Sequence, residues 1–256
     1  MSDRDKGIIE TRAQAILRDV IQQVVDGAGL ALVRGPAGIG KTFALDKIEA
    51  ELIEDGVRVV RVTATPAVEG SLSAFAREAL AGYQVEAGST MDAVESLWNL
   101  LEGYPFRDYG PRCLFIVDES QGLKTSILEM IRALWDRGTH ARLGLTNGPA
   151  FGCVLVGNDQ FMSKGGHVRT ASFRPLLSRV THNLFLQRPG IAECAAMARL
   201  LFPEDESLRA LVDGFGDDVG NLRQMQAAKS QAVILAKGEP VTMDHLRRAI
   251  LMMGGK

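Results

Sequence analysis

Apolar residues in the segment 8–26 (IIETRAQAILRDVIQQVVD) recur at helical spacing, which predicts a helix that Gly27 and Gly29 bring to an end. The run LALVRG (30–35) is short, apolar and closed by glycine, the pattern of a strand leading into a tight turn. A helix is expected over 41–55, and VRVVRVT (57–63) is β-branched and strand-like. Helical spacing returns over 71–82 and 90–102, separated by a turn that contains glycine. A polar, aromatic loop, YPFRDYGPR (104–112), then leads into the apolar strand CLFIVD (113–118). A helix over 123–137, a strand GCVLVG over 152–157 and a last strand NLFLQ over 183–187 complete the series. Strands that alternate with helices and are apolar throughout predict an α/β fold, a parallel sheet with helices on both faces.

The pattern changes after Arg188-Pro189-Gly190. Residues 191–201, 204–214, 219–237 and 242–252 carry helical spacing alone. The expected organisation is an α/β core over 1–189 and a small all-helical domain over 190–256. A chain of 256 residues, 46% hydrophobic and 23% charged, can bury a core, and this composition excludes a disordered chain, a collagen and a coiled-coil rod. No apolar run approaches the roughly 20 residues that span a bilayer. The start, MSDRDKGIIE, is charged and lacks the apolar segment of a secretory signal. Cys113, Cys153 and Cys194 have apolar neighbours and no CxxC spacing. They read as small buried side chains in a reducing cytoplasm, and no membrane partner is expected.

Charge narrows the choice of partner. Twenty-nine basic residues against thirty-one acidic ones give −2, so any nucleic acid must be held by a local patch. Residues 160–189 provide one: Lys164, Arg169, Arg174, Arg179 and Arg188 with no acid, a local +5.

The candidate chemistry begins at Gly35-Pro36-Ala37-Gly38-Ile39-Gly40-Lys41-Thr42, which matches GxxxxGK[ST] between an expected strand and an expected helix. Glycines let backbone N–H groups curl around phosphate oxygens, and the helix start adds its positive dipole end. Lys41 is placed to reach the β- and γ-phosphates of ATP, and the Thr42 hydroxyl to hold Mg²⁺. The second signal is the strand ending in Asp118-Glu119. A carboxylate there can orient Mg²⁺ and its neighbour can polarise an attacking water. Asn158 ends the strand GCVLVG, either as a turn former or as a polar group sensing water or the γ-phosphate. Arg174 and Arg179 precede the last strand, either as a solvated face or as a finger reaching a neighbouring subunit's nucleotide. Arg223, in Gly220-Asn-Leu-Arg, opens a long helix, where it is a surface residue or a group that folds back on the phosphates.

The order of these motifs resembles an AAA+ ATPase: a P-loop parallel sheet with helices on both faces and a helical C-terminal lid. More narrowly, GPAGIGKT, IVDESQGL, LVGN and RPLLSR resemble the transposition ATPases, the phage Mu protein MuB and its TnsC and TniB relatives. DESQGL followed by a helix and then GPAFGCVLVGN carries the narrower likeness, which covers about residues 28–230. The resemblance implies a protein that oligomerises on double-stranded DNA with ATP, selects target DNA and stimulates a transposase. It implies Lys41, Thr42, Asp118, Glu119 and Asn158 on the nucleotide in cis, Arg179 or Arg174 in trans, and Arg223 as the lid arginine. The Mu protein carries a helix-turn-helix appendage, whereas only about 27 residues precede the first expected strand here, so DNA contact is expected from the ATPase core. The family's loop after the second strand suggests Thr63, Thr65 and Ser71 on the DNA backbone. Their hydroxyls carry no charge, so a cation nearby must supply it: Arg61, Arg107, Arg112, Lys124, Lys164 or Arg169. Other AAA+ remodellers, such as a helicase loader or an ExeA-type ATPase, remain open, as do a P-loop small-molecule kinase and a nucleotide-gated binding module. Trp98 and Trp135 sit at core-like helical spacing and read as packing.

Overall fold

Leu30–Arg34 (β1), Arg58–Thr63 (β2), Cys113–Asp118 (β3), Gly152–Gly157 (β4) and His182–Phe185 (β5) form one sheet. The order is β2-β3-β4-β1-β5 and every pairing is parallel. The computed structural model describes residues 9–85, 87–102, 112–137, 149–158, 174–219 and 221–254. β3 and β4 are buried along their whole length, as a parallel sheet covered on both faces requires. β5 differs from the expectation of an apolar strand: it spans His182–Phe185, alternates in burial and leaves Phe185 exposed, because it is an edge strand with one open side. The register sets Thr63 opposite Asp118, and Arg34 opposite Gly157 and Phe185. The C-terminal ends of all the strands therefore share one edge, where open α/β sheets place their ligands.

The helices of this part are Arg12–Gly27 (α1), Lys41–Glu54 (α2), Leu72–Ala81 (α3), Thr90–Glu102 (α4) and Thr125–Arg137 (α5). On one face of the sheet, Leu30, Leu32, Val60, Val62, Phe115 and Leu155 pack with residues of α3, α4 and α5. Phe115 is edge-on to Phe75 at 6.2 Å and to Phe151 at 6.4 Å, so one ring ties β3 to α3 and to the approach of β4. Trp98 and Trp135 are buried in the same cluster, as their spacing predicts. On the other face, Arg61 of β2 turns to Asp46 and Glu49 of α2, and Val24 of α1 lies against Gly152 of β4. A Cβ on Gly152 would fall 2.6 Å from the Val24 carbonyl oxygen, so only glycine admits this approach. α1 starts at Arg12, later than its apolar spacing predicts. Thr11 and Gln14 cap it reciprocally, Gln14 N–H donating to Thr11 Oγ1 and Thr11 N–H to Gln14 Oε1. That T-x-x-Q box is a start signal apolar spacing cannot register.

Behind β5 the chain is helical: Ile191–Leu201 (α6), Glu206–Val219 (α7), Leu222–Ala236 (α8) and Met243–Met252 (α9). They enclose a second core around Met197, Val212, Phe215, Met225 and Leu246. α7 runs five residues past the expected end at 214, through Gly214 and Gly216. Gly216 is a packing residue, since a Cβ there would lie 2.5 Å from Met225 Sδ. The described chain divides into two compact units, one within Leu17–Gly35 and Thr42–Leu186, the other within Met1–Ile16, Pro36–Lys41 and Gln187–Lys256. All three cysteines are buried, and burial pushes the Cys113 and Cys153 thiols up to about 12, which leaves them unreactive. Among the described residues no helix is long and apolar enough to cross a membrane.

Candidate functional site

The loop between β1 and α2 turns on two glycines, Gly38 at φ 82° and Gly40 at φ 91°. Both are in the left-handed region that glycine enters at no steric cost. Gly38 has a second constraint: a Cβ there would fall 2.2 Å from Nδ2 of Asn221, the residue that caps α8. The Lys41 ammonium folds back over its own loop and donates to the Pro36 carbonyl at 2.8 Å, only 8% exposed. The loop thus closes on its own lysine. α2 starts at Lys41, so free N–H groups and the positive end of the helix dipole lie just beyond the glycines.

Thr42, one position on, donates its hydroxyl to Asp118 Oδ2 at 3.0 Å. Two groups 76 residues apart in sequence meet because β1 and β3 end at the same edge of the sheet. Asp118 is 1% exposed, a position no carboxylate occupies without donors. Arg61 Nη2 donates to the same oxygen at 3.4 Å, and the Glu119 N–H donates to Oδ1 at 2.9 Å. Burial works to lower the pKa of Arg61, but hydrogen bonds and charge from Asp46 and Glu49 outweigh it and raise the value. A buried carboxylate and a hydroxyl in contact are the hard oxygen donors that suit Mg²⁺. The described residues hold no cluster of three or more His, Cys, Asp or Glu able to bind a metal unaided. An ion here would complete its shell with phosphate and water, as Mg²⁺ does.

Glu119 adopts a left-handed conformation at φ 55°, ψ 30°, and opens the short turn Ser120–Gly122. α5 itself starts at Thr125, two residues later than the helix expected over 123–137. Gln121 of the short turn has both ends of its amide engaged: Nε2 donates to Glu119 Oε2, and Oε1 accepts from the Asn158 N–H at 3.0 Å. Ser120 donates to the Val156 carbonyl of β4 at 2.8 Å. Glu119 and Asn158, expected at one site, are therefore brought together through Gln121.

The arginines are placed differently. Arg179 donates through Nε to Asp136 of α5 and through Nη1 to the Pro175 carbonyl at 2.6 Å. Asp136 also accepts from Arg132 at 2.6 Å. Arg174 is exposed at the start of a single helical turn over 174–177. Arg223 is exposed in the first turn of α8, its N–H received by Asn221 Oδ1 at 3.0 Å.

Of the suggested DNA contacts, Thr63 ends β2 exposed, and Thr65 is exposed in the following turn. Ser71 is exposed too, but its hydroxyl caps α3 by accepting from the Ala74 N–H at 3.2 Å. Lys124 joins this group. Its N–H donates to the Glu69 carbonyl at 2.9 Å, and its Nζ would be 3.3 Å from a Cβ on Gly70. Glu69 puts a carboxylate over Gly122 in the same region. Arg61 and Arg112 are paired elsewhere, with Asp46, Glu49 and Asp118, and with Asp26. Lys164, Arg169, Arg107 and Gly220 lie outside the described residues.

Sequence reasoning missed Gln121, Asn221 and Asp136. Asn221 had a readable signal, an asparagine just before a helical run, where caps are preferred. Gln121 and Asp136 had none, since Asn158 and Arg179, which they engage, lie 37 and 43 residues away.

The family described as an AAA domain matches over residues 23–162. No curated protein matches the chain. The fold is similar to that of the ORC2 protein of Aeropyrum pernix in its ADPNP–ADP complexes, at 20% identity over 94% of this chain and 66% of that one, with a TM-score of 0.61. It is similar to Cdc6p from Pyrobaculum aerophilum, at 14% identity over 98% of this chain and 71% of that one, with a TM-score of 0.68. Domain III of the replication initiation protein DnaA from Thermotoga maritima matches at 16% identity over 97% of this chain and 94% of that one, with a TM-score of 0.57. The chain thus spans about two thirds of the length of the ORC2 structure.

Proposed function

The chain belongs to the AAA domain family, and from that premise we propose that it is an ATPase that assembles in several copies on duplex DNA. The observation that carries the ATPase reading is the hydrogen bond from Thr42 at the end of the glycine loop to the buried Asp118. In the proposed cycle, the N–H groups around Gly38 and Gly40 bind the phosphates. Lys41 leaves the Pro36 carbonyl for the β- and γ-oxygens. Thr42 and Asp118 would hold Mg²⁺, which when bound neutralises charge on those oxygens. Glu119 polarises the attacking water and Asn158 orients it against the γ-phosphate. Residues 190–256 serve as a lid that offers Arg223, and Arg179 or Arg174 reaches the nucleotide of a neighbouring copy.

Thr63, Thr65, Ser71 and Lys124 would meet the phosphate backbone, joined by Lys164 and Arg169 of the basic stretch. So few charges per copy hold DNA only when repeated along an assembly. Binding is then independent of base sequence and falls steeply with salt. We assign the cellular role to target-DNA selection and activation of a transposase in a bacterial or phage-infected cytoplasm, supported by the sequence phrases shared with the MuB, TnsC and TniB proteins. The rival is another AAA+ remodeller acting on DNA, supported by the likeness of fold to ORC2, Cdc6p and DnaA domain III.

The test is imaging and a binding titration on unrelated duplexes, at two salt concentrations, with ATP, with ADP and without nucleotide. ATP-dependent, salt-sensitive assembly on every duplex is the expected result. Tight binding by single copies without ATP, or strong preference for one sequence, overturns it. Stimulation of strand transfer by a cognate transposase separates the transposition role from the rival.

A further inference from the structure

We propose that Gln121 is a positioning residue for hydrolysis, a strut that holds the Glu119 carboxylate in fixed relation to Asn158. The inference rests on the ATPase reading above and deepens it. Glu119 is exposed, on a left-handed residue at the mouth of a short turn, and an exposed side chain ordinarily exchanges rotamers. One amide removes that freedom. Gln121 Nε2 donates to Glu119 Oε2, while Gln121 Oε1 accepts from the N–H of Asn158, the residue just beyond β4. The two bonds run in opposite senses, one from each end of the carboxamide. They tie the end of β3 to the end of β4 beyond the last pairing of those strands, Val117 with Leu155. A base that polarises water must be held within a few tenths of an ångström of its productive place, and Glu119 has no β ladder to do so.

The same asymmetry separates positioning from mere folding. Gln121→Glu keeps the acceptor for Asn158 and replaces the donor to Glu119 by a second carboxylate, whereas Gln121→Ala removes both. Asp118 and its partner Arg61 are unchanged in either variant. In nucleotide-free protein, hydrogen exchange of the Asn158 amide should quicken at least roughly tenfold in Gln121→Ala and stay near wild type in Gln121→Glu. With ATP, Gln121→Ala should lower kcat roughly tenfold and leave KM within about twofold, the signature of a lost bond to a charged group that matters in turnover rather than in binding. In Gln121→Glu, which keeps the tie to Asn158 and loses the donor to Glu119, kcat should fall as far with KM again within about twofold. Unchanged kcat or unchanged Asn158 exchange in Gln121→Ala overturns the strut, provided Glu119→Gln itself abolishes turnover. Absence of ATP turnover in the wild-type protein brings down the ATPase reading instead, and wild-type turnover by Glu119→Gln removes Glu119 from its role and the strut with it.

Discussion

Two regions at the same edge of the sheet handle polar groups in opposite ways. At the ends of β3 and β4, each polar side chain is bound by another: Thr42 to Asp118, Asp118 to Arg61, Gln121 to Glu119 and to the Asn158 backbone. Beyond β2, across Thr63–Ser71 and Lys124, the groups are exposed and their hydrogen bonds serve the local backbone, as in the cap from Ser71 to α3. The first arrangement is anchored on Asp118, 1% exposed, and bonds to that carboxylate are strong, because charges in low-dielectric surroundings attract more than in solvent. The second leaves one lysine and three hydroxyls in water, beside the Glu69 carboxylate, where each is worth little. Preorganised chemistry belongs to the first region. The second can do no more than contribute a small, repeatable increment per copy.

That contrast is tested first where the expected effect is largest, at an arginine that is bound within its own chain. Arg179 is held by Asp136 and the Pro175 carbonyl. If it serves a neighbour's nucleotide, assembly must draw it off Asp136. Arg179→Ala should then lower kcat by about 10³-fold or more while single copies still bind ATP, the scale of an arginine finger. Mixed with Lys41→Ala protein it should recover part of the activity, since each variant supplies what the other lacks at a shared interface. Absence of recovery in an assembly of normal size shifts the role to Arg174.

Glu119→Gln comes next. It keeps the side chain's shape and its place beside Gln121 while removing the charge proposed to polarise water. Turnover should fall by about 10²- to 10⁴-fold, with ATP still bound and assemblies on DNA longer lived. Steady-state kinetics alongside dissociation rates from DNA decides it. Lys41→Ala is expected to weaken ATP binding roughly 100-fold, the loss of bonds from one cation to two phosphates, and with it assembly on DNA. A nucleotide titration measures this directly. An undiminished affinity would mean that the lysine stays on Pro36 throughout.

The same contrast explains what could be read in the sequence. β3 and β4 were legible to the residue, because a strand buried on both faces has to be a continuous apolar run, and polar residues mark its end. Gly35–Thr42 and Asp118-Glu119 stood out because they follow a fixed spacing pattern, and the structure joins Thr42 to Asp118. β5 was less legible. An edge strand tolerates the exposed Phe185, which apolarity alone assigns to the interior. The run of α7 through Gly214 and Gly216 was hidden, since the reason for Gly216 is Met225, on the next helix. Gln121 and Asp136 also reach Asn158 and Arg179, 37 and 43 residues along the chain, which no local pattern marks. Arg61 read as a candidate DNA cation and proved to be the counter-charge of a buried carboxylate.

The smallest effects lie in the exposed region, and Ser71 shows how to read them. Its hydroxyl caps α3, so Ser71→Ala should cost about 1 kcal/mol of stability whether or not DNA touches it. A loss of DNA binding in that variant would therefore say little alone. Ser71→Asp separates the roles: aspartate caps as well as serine and suits the helix dipole, so stability should hold or rise by a few tenths of a kcal/mol. On a DNA-facing loop the same change sets a negative charge against phosphate, beside the Glu69 carboxylate. Affinity should fall by several-fold per copy and further in an assembly, where each deficit repeats. Lys124→Ala provides the companion measurement, flattening the salt dependence by about one phosphate contact per copy. Thermal melting and DNA titration of both Ser71 variants give the answer together. Should Ser71→Asp melt like wild type and bind DNA like wild type, the residue is a cap and nothing more, and the duplex must run elsewhere on the molecule.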